Sequence, residues 1–142
     1  MKMKKIILLF ILLMSIGLVQ AQKIKFKKGI VYIDGKECLK YDSTDPNNVE
    51  ISNLDDTQTI FLKFIRTGKG PNDGLYTKVT FVEQNKSLTS QSYIFTKKLL
   101  VKKLIKNGVL KNGEFNPAKI DKFIMRYDEK VDKKPIKILI LE

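Results

Sequence analysis

The chain reads as an α+β protein: a mostly antiparallel sheet of about six strands in meander order, with one or two C-terminal helices packed on it. Three observations predict this. Apolar residues alternate with polar ones in short runs from Lys23 to Phe95, separated by turn formers. Asp34-Gly35 joins two of these runs as a two-residue hairpin turn, where both positions need a positive φ. After Phe95 the apolar spacing changes to three and four, the mark of amphipathic helices. Because the strands follow one another without interruption, a small β-sandwich or open barrel with a C-terminal helix is the alternative.

The first run, Lys23 to Lys27, places Ile24 and Phe26 on one face, and Gly29 interrupts it before Ile30 to Ile33. Beyond the Asp34-Gly35 turn, Lys36 to Tyr41 is the return strand. A polar loop from Asp42 to Asn48 leads to Val49–Ser52, and Asn53 to Thr57 turn the chain into Gln58–Arg66. That last strand is apolar on both faces, with Ile60, Leu62 and Phe64 on one and Phe61 and Ile65 on the other. Such a strand is expected near the centre of the sheet and at least partly covered on each side. Leu75–Glu83 and Leu88–Phe95 complete the strands. Thr96 is a suitable N-cap for a helix whose end is marked by Asn107-Gly108, and Asn116-Pro117 opens a second helix carrying Ile120, Phe123, Ile124 and Tyr127.

Residues 1–21 have the layout of an export signal. Lys2, Lys4 and Lys5 precede an uncharged apolar run from Ile6 to Val19, and Val19-Gln20-Ala21 offers a signal-peptidase site. At 14 residues the run is short for a membrane span, which takes about 20. The expected division is a signal peptide over 1–21, one α+β domain over 22–132, and a tail or terminal strand over 133–142. The expected location is periplasmic or secreted, with no membrane span once the signal is removed.

Composition narrows the function. The chain has 142 residues, 27 Lys+Arg against 15 Asp+Glu, one Cys, no Trp and no His. An apolar share of 43% excludes wholesale disorder. A lone Cys makes no internal disulfide, and the absence of His removes most zinc, haem and His-based catalytic sites. Of the basic residues only Arg66 and Arg126 are arginine, so almost everywhere the chain uses lysine in place of the planar fork favoured for bidentate phosphate and base recognition. Its positive charge draws anionic headgroups and polysaccharides in a salt-sensitive, unspecific way.

No catalytic constellation emerges. Cys38 lies within a strand, where it reads as a small core hydrophobe or, in an oxidising compartment, as a thiol able to cross-link to a partner. The cluster Asp42, Asp45, Asn47, Asn48 and Glu50 has a calcium-like composition without the spacing or central glycine of an EF-hand, and reads as turn formers. Gly68-Lys69-Gly70 is followed by no helix and no Gly-Lys-Ser/Thr, so it is not a phosphate loop. Tyr32, Tyr41, Tyr76 and Tyr93, placed on strands beside lysines, resemble a nucleic-acid or glycan platform and equally an ordinary solvated sheet face. Export disfavours nucleic acid as a partner. The exposed stretch Thr67, Gly68, Lys69, Gly70, Pro71, Asn72, Asp73 and Gly74 is the candidate partner-binding loop.

The Gln20-Ala21-Gln22 junction, the hairpin from Gly29 to Lys36 (GIVYIDGK) and the segment from Tyr93 to Lys98 (YIFTKK) resemble small exported proteins of the Bacteroidetes, flavobacteria in particular. The resemblance implies an envelope or extracellular location and transfers no activity and no functional residue. The function expected is that of an exported, non-enzymatic binding or interaction protein, without cofactor or metal. Its partner would be an envelope or extracellular protein or an anionic surface polymer. A carrier of a small apolar or lipid ligand between sheet and helices is the alternative. The protein isolated from its own envelope or culture fraction should have the intact mass of Gln22–Glu142; the mass of the whole chain would overturn the export reading.

Overall fold

The computed structural model describes residues 22–133; the expected leader over 1–21 and all but the first residue of the expected tail over 133–142 lie outside them. Seven strands form one sheet: β1 (Ile24–Lys27), β2 (Ile30–Ile33), β3 (Lys36–Asp45), β4 (Asn48–Asn53), β5 (Thr59–Ile65), β6 (Tyr76–Phe81) and β7 (Lys86–Ser90). Each pairs antiparallel with the next in chain order, so the sheet is a pure meander. Helix α1 (Lys97–Lys106), a short hairpin of β8 (Leu110–Lys111) and β9 (Glu114–Phe115), and helix α2 (Pro117–Tyr127) follow. The α+β architecture is as the sequence predicts, with seven strands in place of about six.

Register decides which residues meet. The rows Phe26–Val31–Leu39, Tyr41–Ile51–Ile60–Phe81 and Val49–Leu62–Val79–Leu88 lie side by side on one face. The C-terminal layer covers that face, α1 burying Leu100, Val101 and Leu104 and α2 burying Ile120 and Phe123. The Phe123 ring meets Phe81 edge-on at 6.0 Å. Thr96 caps α1 by accepting from the Leu99 amide, and Asn116 caps α2 by accepting from the Ala118 amide. Strand β5 is the fifth of seven; its Phe61 and Ile65 are half-buried on the open face, beside Glu50 and Tyr76.

Two expectations are corrected. The strand expected over Leu88–Phe95 ends at Ser90, because the next amides find other acceptors: Glu129 Oε1 takes the N–H of Gln91 at 2.6 Å and of Ser92 at 2.8 Å, and Ser90 Oγ takes that of Tyr93. Strand β3 in turn runs on to Asp45, through most of the expected polar loop, with a register shift between Asp42 and Asp45.

The outer edge of β7 is closed by the segment after α2. Thr89 donates its amide to Asp128 Oδ1 and accepts from the Glu129 amide, and its hydroxyl accepts from Val131 N–H. Asp132 reaches round to Lys78, on the open face. Free backbone groups on an edge strand invite pairing with other chains, and this clasp occupies them.

Glu129 is the centre of the clasp. Its carboxylate is held down to about 2 from an ordinary 4.5, first by the Ser92 side chain and then by the Ser92 and Gln91 amides and the Ser90 hydroxyl, against the opposing push of partial burial. A carboxyl depressed by folding adds stability that is present above its unfolded value and lost as pH falls through the folded one. The clasp should therefore weaken between about pH 4.5 and pH 2. Glu129→Gln should lower the unfolding temperature at neutral pH and flatten its decline over that window. A variant whose decline parallels the parent's would show that Glu129 does not carry this dependence.

Candidate functional site

A cleft of about 660 Å³ opens where the hairpin turns of the sheet meet the end of α1. It is built from five places in the chain, the first of them Gln22, just before β1. The tight β2–β3 turn brings in Asp34 and Lys36, and the β4–β5 turn brings in Leu54 and Asp55. The end of α1 supplies Ile105, and the β8–β9 hairpin supplies Leu110 to Glu114. Cys38 enters through a bulge: Val31 pairs with Leu39 and Tyr32 with Glu37, which leaves Cys38 as the extra residue.

Polar ties hold the hairpin against the sheet end. Gln58 donates through Nε2 to the Phe115 carbonyl at 2.7 Å and accepts from the Phe115 amide at 2.9 Å. Fully buried Asn53 donates through Nδ2 to Thr57 Oγ1 at 2.8 Å and to Glu114 Oε2 at 3.2 Å, while its Oδ1 accepts from the Gln58 amide. Gly113 packs so closely on Cys38 that a Cβ there would stand 3.1 Å from the Cys38 carbonyl. Burial pushes the Cys38 thiol up, with the Gly113 backbone pulling the other way. The group is a protonated thiol in the wall of the cleft, not an activated nucleophile.

The cleft has an apolar floor of Ile33, Cys38, Leu54, Ile105 and Leu110 under a charged rim. Asp34, Glu37, Asp55 and Glu114 stand on that rim with Lys36 and Lys111. The ion pairs among the described residues, Lys40–Asp56, Lys78–Asp132 and Lys86–Asp121, all lie elsewhere.

A second, smaller hollow of about 200 Å³ lies between the end of α1 and α2, lined by Lys106, Asn107, Lys119, Lys122, Phe123 and Arg126. Arg126 Nη1 donates to Asn107 Oδ1 at 2.7 Å, and Asn107 Nδ2 donates to the Lys103 carbonyl at 2.8 Å. No carboxylate lines this hollow. On α1, Lys97 stands over the Phe26 and Tyr41 rings at 5.2 and 4.8 Å, and Lys103 over Tyr93 at 5.5 Å.

The expected loop from Thr67 to Gly74 lies at the opposite end of the sheet, since β5 leaves the cleft end and reaches the loop only after Ile65. Seven of its eight residues are exposed and Gly74 is buried. It is a hydrogen-bonded hairpin connection: Gly68 N–H bonds the Asp73 carbonyl at 2.9 Å, the Leu75 amide bonds the Asn72 carbonyl, and Asn72 and Asp73 between them take positive φ. The calcium-like cluster is accounted for as turns, Asp42 Oδ1 accepting from Thr44 and Asp45 Oδ1 from the Asn47 amide. Among the described residues no three His, Cys, Asp or Glu side chains gather to hold a metal ion, and no helix is long and apolar enough to cross a membrane.

The expected tyrosine face divides. Tyr32 and Tyr76 lie on the face away from the helices, where Tyr76 is nonetheless buried, whereas Tyr41 pairs with Ile51 on the core face and Tyr93, beyond the end of β7, packs on Phe95 and Tyr127. Sequence reading missed the cleft and its hairpin, although Asn112-Gly113 is the same turn signal as Asp34-Gly35. Comparison of the chain with protein-family models, curated proteins and solved structures returns no match.

Gly74 is the residue on which the loop's shape depends. Its φ is +66°, and a Cβ would fall on Thr67 Oγ1 and 2.7 Å from the Lys69 carbonyl. Gly74→Ala should destabilise the protein by about 1–3 kcal/mol, the range for strained backbone sites. Denaturant unfolding measures this, and a change within about 0.5 kcal/mol, ordinary for a surface site, would mean that the loop tolerates another shape.

Proposed function

We propose that this chain is an exported, non-enzymatic binding protein of the envelope or extracellular space, docking through its helical layer onto an anionic surface polymer. The observation that carries the reading is the distribution of charge. From Gln22 to Thr96, the sheet segment, there are 11 basic and 9 acidic residues. From Lys97 to Arg126 there are 9 basic and 2 acidic residues. Five of the nine are lysines of α1, a helix with no acid, and Lys119, Lys122 and Arg126 extend the patch across α2. The segment that builds the helical layer is therefore strongly positive while the rest of the described chain is close to balanced, which favours an oriented approach to a polyanion.

The types of side chain fit a polymer better than a discrete phosphate ligand. Lysine is a hydrated point charge on a long flexible stem, suited to many weak contacts with a mobile polyanion. The two basic side chains most nearly fixed on α1, Lys97 and Lys103, are held over aromatic rings rather than by carboxylates. The Tyr93 hydroxyl holds the Lys103 ammonium above its ordinary range, so it stays charged through neutral pH. The second reading, a carrier of a small apolar or lipid ligand, has one observation in its favour, the 660 Å³ cleft at the end of the layer.

Binding to immobilised alginate, a carboxylated polysaccharide, tests the docking reading against neutral dextran. Affinity should fall steeply with salt. The triple variant Lys106→Gln, Lys119→Gln, Lys122→Gln should lose on the order of a hundredfold, from about 1 kcal/mol per cation at an anionic surface. Lys25→Gln, Lys27→Gln, Lys63→Gln, made on the sheet, should lose far less. Equal losses from the two triples would reduce the interaction to net charge and overturn the assignment to the helical face.

A further inference from the structure

We infer that the cleft at the turn end of the sheet binds a small amphiphile with a positively charged head, its apolar part on Ile33, Leu54, Ile105 and Leu110. The inference rests on the carrier reading of that cleft and goes beyond it by fixing the sign of the ligand's charge. Three observations point the same way.

The first is size and lining. A cleft of about 660 Å³ lies within the roughly 300–1,000 Å³ of small-molecule sites. Leu54, at 41% exposure, is one of few large apolar side chains left open to solvent, and it lines this cleft. The neighbouring Cys38 adds an uncharged, protonated thiol to the apolar floor.

The second is the rim. Its four carboxylates exceed its two lysines together with the α-ammonium that Gln22 carries once the signal is removed, in a chain whose charge balance is +12. The local sign is opposite to that of the whole, so attraction of a cation here works against the general field and is a property of this place.

The third is how these carboxylates are held. Asp34 accepts from the Lys23 amide, Asp55 from the Thr57 amide and hydroxyl, and Glu114 from the Asn53 side chain. Each of the three is oriented by a neutral donor, and none is in an ion pair with a lysine among the described residues. Fixed carboxylates beside an apolar floor attract an alkyl or aryl ammonium and repel a fatty-acid carboxylate.

The test uses the protein isolated from its own envelope or culture fraction, with three twelve-carbon probes: dodecyltrimethylammonium and dodecanoate below their micelle-forming concentrations, and dodecanol below its solubility limit. Calorimetry gives affinity, and maleimide labelling of Cys38, the chain's one cysteine, reports occupancy of the cleft. Dodecyltrimethylammonium should bind and slow the labelling. Glu37→Gln with Asp55→Asn should weaken that binding about tenfold, at roughly 0.2–1 kcal/mol per exposed charge contact. Leu54→Lys, at an exposed position that folding does not need, should abolish it.

Protection by dodecanoate or dodecanol equal to that by the cation would leave a carrier cleft standing and overturn the inferred charge. Absence of binding and protection by all three would overturn the carrier reading as well. Binding of the cation that neither protects Cys38 nor responds to Leu54→Lys would place it elsewhere and overturn the site.

Discussion

Everything in this structure follows from the need to cover one face of an open antiparallel sheet. The meander places Val31, Leu39, Ile51, Ile60, Leu62, Val79, Phe81 and Leu88 on that face, and each is almost wholly removed from water. Burying side chains of this size is worth about 1.5–3 kcal/mol apiece, so an uncovered face would remove most of the reason to fold. The cover consists of helices of 10 and 11 residues, lengths at which an isolated helix is marginal. Sheet and helices are thus each stable only because the other is present.

That dependence explains where the polar ties lie. The paired bonds between Gln58 and Phe115, with Asn53 reaching Glu114, fasten the hairpin between the helices to the turn end of the sheet. The clasp of Asp128, Glu129 and Val131 on Thr89 and its neighbours fastens the chain after α2 to the far edge. Between these anchors the apolar layer has little freedom to slide. Asn53 itself is fully buried with every donor and acceptor engaged, since an unmet amide there would cost about 1–3 kcal/mol.

The same architecture separates two surfaces of opposite character. Helices that only need an apolar stripe toward the sheet leave their outer faces free to carry lysine, and α1 uses that freedom almost without opposition from acids. At the turn end, carboxylates accumulate because Asp and Asn are turn formers. Convergence of the β2–β3 and β4–β5 turns with the β8–β9 hairpin then gathers two of them, Asp34 and Asp55, with the strand residues Glu37 and Glu114 round one hollow. The proposed docking face and the inferred ligand cleft are consequences of packing geometry acting on local residue preferences.

The sequence by itself determined the elements that depend on neighbours along the chain. Strand alternation, the Asp34-Gly35 turn, the Thr96 and Asn116 caps and the apolar stripe of α2 are all short-range, and the α+β class follows from their order. What it left open depends on residues far apart. Strand β7 stops at Ser90 because Glu129, 38 positions beyond Gln91, takes the next amides. Tyr41 turns inward because its register with Ile51, not its propensity, sets its face. Asn112-Gly113 was as readable as Asp34-Gly35, but its place against Cys38 was not, because that contact exists only once the sheet has formed. Local backbone preference is written in the spacing of a few residues. The tertiary structure alone decided which turn meets which strand edge, since burial of the shared apolar face selects one arrangement of the whole.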